Sequence, residues 1–162
     1  MLNLRQYHAV VEQAIANLGL SPAECLDETE AGVWRLRKGS AQITVRVYVH
    51  DESQVTYCRV ICPLMPSPTQ RREELFDELL ELNMNYIGIT FGKTAEWIYL
   101  KADREAEGLD VNEMYYMLNR VGVLADHYDD ILEQKYGVGR PRETGDGSAH
   151  SARPSENGEG GA

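Results

Sequence analysis

The chain of 162 residues carries a formal net charge of −10 and is 43% hydrophobic. That length suits one domain with one core, and the negative charge argues against a nucleic-acid or anionic-membrane partner. No apolar run approaches the roughly 20 residues needed to cross a bilayer, and the opening MLNLRQYHAVVEQ does not read as a signal peptide, so a cytoplasmic protein is expected.

In chain order, the first helix is expected from Leu2 to Leu18, with Leu4, Tyr7, Val11, Ala14, Ile15 and Leu18 on one stripe and Gly19 to stop it. Ser21-Pro22 opens a connection that continues as the acidic run Glu24–Glu30. A strand over Val33–Lys38 ends at Gly39-Ser40. The segments QITVRVYVH and QVTYCRVIC then form a hairpin around Asp51-Glu52-Ser53. Centring the turn on Glu52-Ser53 pairs Val47 with Cys58, Val45 with Val60 and Ile43 with Cys62 on one face. Tyr48 then pairs with Tyr57, and Arg46 with Arg59, on the other. A one-residue slip would mix the two sets, so the alternation itself supports this register.

A second helix is expected from Ser67, with a capping box to Gln70 and Pro68 at its first position. Leu75, Phe76, Leu79 and Leu80 form its apolar stripe, opposite Glu73, Glu74, Asp77, Glu78 and Glu81. After Asn85 the period changes to two. Ile87, Ile89 and Phe91 share one side of a strand, and Ile98, Leu100 and Ala102 one side of the next. A loop near Gly92–Ala95 would set Ile89 opposite Ile98 and Ile87 opposite Leu100. The last helix follows Gly108, with Asp110 as cap, Glu113 closing a capping box, and Leu109 stapled onto Met114. Its buried stripe is Met114, Met117, Leu118, Val121, Ala125, Tyr128 and Leu132, and Gly137 ends it. From Val138 on there is little to bury, and a disordered tail over 138–162 is expected.

Function is harder to read from the residues. The three cysteines suit a reducing compartment, and Cys58 and Cys62, about 13 Å apart along one strand face, read as buried, inert thiols. His127 lies among Asp126, Asp129, Asp130 and Glu133. It has no second His or Cys at helical spacing, so a solvated helix end is the plainer reading than a metal site. Met114 and Met117 read as a core seam. Gly92-Lys93-Thr94 lacks the earlier glycine of a phosphate loop and runs from strand to strand. No cofactor, metal or catalytic residue is expected.

One surface stands out. Arg46, Tyr48, Tyr57, Arg59, Trp97 and Tyr99 fall on the strand face away from the core, with Arg35 and Arg37 as candidate extensions. It is basic and aromatic in an acidic protein. Two arginines directly opposite one another repel, so a carboxylate of this chain, a partner subunit or a ligand should lie beside them. The readings are an ordinary amphipathic sheet face, a partner-binding or dimer surface, or, least supported, a nucleic-acid platform.

The element order, with LFDELLELNMNYIGITFG (75–92), WIYLKAD (97–103) and LADHYDDILEQ (124–134), resembles the YbjN-like family. That resemblance implies the fold of type III secretion chaperones: α+β, an antiparallel sheet of about five strands, order α-β-β-β-α-β-β-α, over residues 1–137. The first and last helices should cover the apolar sheet face. It also implies a non-enzymatic module holding a peptide segment or partner protein, with no catalytic residues to carry over. A homodimer is expected, with Leu75, Phe76 and Leu79 in the contact. The alternative is a regulatory or sensory protein that binds a small ligand on its sheet face.

Overall fold

The computed structural model describes residues 4–137. Its elements are α1 (Arg5–Asn17), α2 (Pro22–Cys25), β1 (Val33–Lys38), β2 (Ala41–Val49), β3 (Thr56–Pro66), α3 (Arg72–Asn85), β4 (Thr90–Lys93), β5 (Trp97–Glu105) and α4 (Val111–Tyr136). The strands form one antiparallel sheet in the order β1-β2-β3-β5-β4. The fold class and main element order are as expected, with the short α2 as an unforeseen addition. The expected start at Leu2 and the tail over 138–162 lie outside the described residues.

Alternation builds the sheet. Every second residue of β2 and β3, from Ala41 to Val47 and from Thr56 to Cys62, is buried on one face. The β2–β3 register is the expected one, with Val45 opposite Val60, Val47 opposite Cys58, Arg46 opposite Arg59 and Tyr48 opposite Tyr57. The ladder closes at Val49–Thr56, and the turn is longer than a two-residue connection: the His50 N–H donates to the Val55 carbonyl and the Gln54 N–H to the His50 carbonyl. Between β1 and β2, Gly39 takes φ +60° at the first position of a two-residue turn, as a II′ hairpin requires. A Cβ there would also lie 2.5 Å from an Asp126 oxygen.

Helix α4 seals the buried face. Asp110 caps it: its side chain accepts from the Glu113 N–H, and the Glu113 side chain accepts from the Asp110 N–H. Met114, Leu118, Val121, Gly122, Ala125, Leu132 and Tyr136 are buried along one stripe. A Cβ on Gly122 would stand 2.7 Å from Lys38 Cδ and 3.2 Å from Ile43 Cδ1, so glycine sets how closely α4 approaches β1 and β2. Helix α1 packs beside α4, burying Val11, Ala14 and Ile15 in the same core.

Three boundaries differ from the sequence expectation, two because a distant group intervenes and one at a local glycine. Strand β3 continues through Pro63 and Pro66, with a bulge between Pro63 and Met65 that turns both Leu64 and Met65 inward. The Ser67 N–H then donates to the Glu96 carbonyl at 2.7 Å, which holds Ser67, Pro68 and Gln70 out of a helix. Helix α3 therefore starts at Arg72, without the expected capping box. Its N-cap Arg71 is left-handed (φ 53°) and is held there by Glu74 at 2.6 Å, the Lys135 carbonyl at 2.8 Å and the Tyr136 ring at 5.0 Å. Finally, β4 begins at Thr90, because Gly88 (φ +71°) breaks the strand. Thr90 pairs with Lys101 and Phe91 with Leu100, four residues along β5 from the expected register. An even shift keeps Ile89 and Phe91 on the core side.

The outer edge of β4 is closed by one side chain. Asn83 of α3 accepts from the Phe91 N–H at 2.7 Å and donates to the Phe91 carbonyl at 3.0 Å. Replacing Asn83 by Leu should cost about 1–3 kcal/mol in chemical denaturation, since both Phe91 groups lose a partner. Cys58, fully buried with its thiol pushed up to about 12 by desolvation, should react with a thiol reagent only as fast as the chain unfolds.

Candidate functional site

The far face of the sheet carries the arginine–aromatic set. Arg46 and Arg59 are direct cross-strand neighbours, and Tyr48 and Tyr57 are the next pair on that side. The tyrosine rings stack at 6.1 Å and 29°, and the Arg59 guanidinium lies 5.3 Å from the Tyr48 centroid. Burial pushes the Tyr48 hydroxyl above its usual pKa, with Arg59 pulling it down.

The like-charged pair is relieved from within the chain. Glu30, from the loop before β1, meets Arg46 at 2.5 Å. Asp103, opposite Arg59 on β5, meets it at 2.6 Å and takes Lys101 Nζ at 2.7 Å on its other oxygen. Of the three sources of negative charge considered, the chain's own carboxylates supply it. Arg35 is likewise paired with Asp27 at 2.6 Å, while Arg37 bonds the Gly39 carbonyl.

Trp97 and Tyr99 share this face but stand apart from the arginines. Tyr99 is opposite Pro63 and Trp97 opposite Pro66, and four residues separate Tyr99 from Asp103, about 13 Å along the strand. Thr44, Ile61 and Lys101 form the row between the two clusters. All six candidate residues are partly exposed and joined through that row. Alternation along β5 already sets Lys101 on this face with Trp97 and Tyr99; Ile61, Pro63 and Asp103 are added by the structure. Aligning β3 with β5 by the same alternation would have found them.

The candidate dimer residues separate. Leu75 and Leu79 are buried in the chain's own core, so they offer nothing to a second copy. Residues four apart share a helix face, and the row beginning one residue later is turned about 100°. Phe76, Leu80 and Met84 make that second row, with Leu80 64% and Met84 87% exposed; Ile87, at the foot of β4, is 85% exposed.

Beside it, a shallow groove of about 260 Å³ lies between Gly88–Ile89, β5 and α4. Ile89, Ala102 and Met117 line it, with Arg104 and Arg120 at its rim. His127 is exposed with its ring edge-on to Tyr128. Of the methionine pair, Met114 is fully buried and Met117 partly so.

A protein-family model matches residues 5–144, described as TY-Chap1, "T3SS (YopN, CesT) and YbjN peptide-binding chaperone 1". This chain belongs to that family. No protein of curated function matches the sequence. Among solved structures it resembles a chain of the ExsC–ExsE complex (TM-score 0.60, 15% identity, 82% of this chain and 97% of that one). It also resembles a chain of the HopA1–SchA chaperone–effector complex (0.58, 12%, 80% and 99%). A third is from the heterodimeric ExoU–SpcU complex of the type III secretion system of Pseudomonas aeruginosa (0.55, 14%, 76% and 98%). At these identities the likeness establishes the fold. The TY-Chap1 match makes the chain a peptide-binding chaperone by family, and no comparison points to a small-molecule ligand.

The Asp103 clasp gives this chaperone fold an acid-sensitive point. Desolvation raises the Asp103 pKa, but the bonds from Arg59 and Lys101 outweigh it and hold the group below its ordinary value. A depressed carboxylate stabilises the fold above its unfolded pKa, about 3.9, and that contribution is lost as pH falls through the folded value. Asp103→Asn should therefore lower the melting temperature at pH 6. It should also flatten the decline in Tm between about pH 4 and pH 2, which thermal melts across that range will show.

Proposed function

We propose that the protein is a non-enzymatic cytoplasmic chaperone that holds an extended segment of a client protein on the open face of its sheet, through Arg46, Tyr48, Tyr57, Arg59, Trp97 and Tyr99. The observation that carries this reading is the asymmetry of the sheet. One face is sealed by α4, while the other presents stacked tyrosines, paired arginines, Ile61 and Trp97 to solvent. Aromatic and arginine side chains are the types on which binding energy concentrates. The carboxylates beside the arginines orient the guanidiniums rather than bury them, leaving cationic and aromatic surface for a partner. Family membership and the chaperone–effector complexes among the structural neighbours support a protein or peptide client. No helix among the described residues is long and apolar enough to cross a membrane.

We further propose that the working form is a homodimer. The row of half-buried Phe76 and exposed Leu80 and Met84, with Ile87 beside it, supports this reading, and it replaces Leu75 and Leu79 as the contact. A two-fold axis near Leu80 would set the row against itself. Lys93 and Arg72, both near the Phe76 ring, would then approach the acidic flank of the partner's helix.

Sedimentation at low micromolar concentration should give twice the chain mass of 18.3 kDa. Leu80→Asp with Met84→Asp should return it to monomer with little change in the unfolding midpoint; an unchanged dimer removes α3 from the interface.

Changing Trp97 and Arg59 to Ala should abolish capture of clients from lysate of the native host, with the melting temperature lowered no further than Asp103→Asn lowers it, since both changes open the same clasp. Lost stability with intact capture would make the face structural and end its assignment as the client site.

A further inference from the structure

Strand β4 carries a notch on the open face of the sheet. Gly92 stands opposite Tyr99, and two residues earlier Thr90 stands opposite Lys101. A Cβ built on Gly92 would meet no atom within 4 Å. A glycine inside a strand often marks a place where another backbone or a ligand comes close. Strand residues two apart share a face, so the notch is flanked along β5 by Tyr99 and Trp97, both half-buried. Pro63 and Pro66 pair with these two on their far side. At the rim Glu96 is exposed, and among the described residues no cation is paired with its carboxylate.

The end of α4 delivers the chain to this rim. Arg71 Nη1 donates to the Lys135 carbonyl at 2.8 Å, and Ser67, four residues before Arg71, donates its N–H to the Glu96 carbonyl at 2.7 Å. Gly137 therefore leaves α4 at the end of the sheet where Glu96 and Trp97 stand. The sequence continues as Val138-Gly139-Arg140-Pro141-Arg142-Glu143, and the family match runs through these residues to 144. Six residues past Gly137 reach about 20 Å when extended, enough to turn over the rim onto the notch. The chemistry of the segment suits what it would meet there. Proline favours an extended backbone and docks on aromatic rings, and a guanidinium is attracted both to an indole face and to a carboxylate.

We propose that the chain's own Arg140-Pro141-Arg142 segment folds back over the rim and occupies this notch, with Pro141 over Gly92 against Tyr99 and Arg140 across Trp97 at Glu96. Tethering populates a contact of this size even where it is weak, because a short linker holds the segment at about millimolar effective concentration. The role of the contact rests on the reading of the open face as the client site. The segment covers the Trp97–Tyr99 end until a client displaces it, and the Arg59–Tyr48 end stays open.

The test uses the full chain, labelled with nitrogen-15 and carbon-13. Nuclear Overhauser contacts should link the Pro141 ring protons to the Tyr99 ring and to the Gly92 α protons. Gly92→Val, which fills the notch without touching the core, should abolish them and shift the Trp97 indole N–H. Arg140→Gln with Pro141→Ser should shift the same indole N–H and raise client capture roughly twofold or more, as removal of a competitor holding half the sites would. The proposal is overturned if the contacts are absent, or if they link Pro141 to α3 instead. It is equally overturned if, in mixed labelled and unlabelled chains, they run between copies, or if capture that depends on Trp97 does not rise. Contacts present with capture indifferent to Trp97 and Arg59 end the client-face reading alone; contacts absent with capture dependent on those residues end the tail contact alone.

Discussion

The structure depends on the burial of one sheet face beneath α4. Strands β2, β3 and β5 put Val45, Val47, Cys58, Val60, Leu100 and Ala102 on that side, and α4 lays Met114, Leu118, Val121 and Ala125 across them. Gly122 allows the helix to come down onto Lys38 and Ile43. Fully burying side chains of this size contributes about 1.5–3 kcal/mol each relative to exposure. No surface ion pair here has comparable weight, since exposed pairs typically give about 0–1 kcal/mol. Once that face is sealed, alternation leaves every other strand residue facing outward. The arginine–aromatic surface is therefore a geometric by-product of the core, available for function without disturbing it.

The second layer of organisation is polar and joins elements far apart in sequence. Arg71, Glu74, Glu78, Lys135 and Tyr136 tie the start of α3 to the end of α4. The Tyr86 and Tyr128 hydroxyls meet at 2.9 Å farther along the same seam. Ser40 bonds Asp126 and Asp129, pinning the β1–β2 turn to α4. These contacts position α3 so that one of its apolar rows enters the core and the other remains outside.

Local features were legible in the sequence. The bounds of β1, the β2–β3 register and the Asp110–Glu113 capping box all follow from period, turn chemistry and short-range hydrogen bonding. Most of the failures are non-local. Ser67 looks like a helix cap until Glu96 claims its N–H, and β3 seems to end at Cys62 because the prolines hide a bulge that the β5 ladder tolerates. Ile87 fits the strand alternation, yet Gly88 turns the chain away. The same division holds for the site. Each of its six residues was placed on the correct face by parity, as was Lys101, but setting Asp103 against Arg59 required the β3–β5 pairing, which no short-range signal fixes. Splitting α3 into two apolar rows required knowing which one met the sheet.

An open sheet has two edges, and this one blunts both without adding a full strand. On the β1 side, the Asp27 N–H donates to Val33 while Leu26 bridges Trp34. On the β4 side, Asn83 occupies both backbone groups of Phe91. Bare edges would let successive copies join sheet to sheet and grow into fibrils, at a concentration set by the abundance of the protein itself. A molecule that handles extended, sticky segments of other chains meets that hazard continually. The carboxamide of Asn83 thus acts as an end-stop on polymerisation.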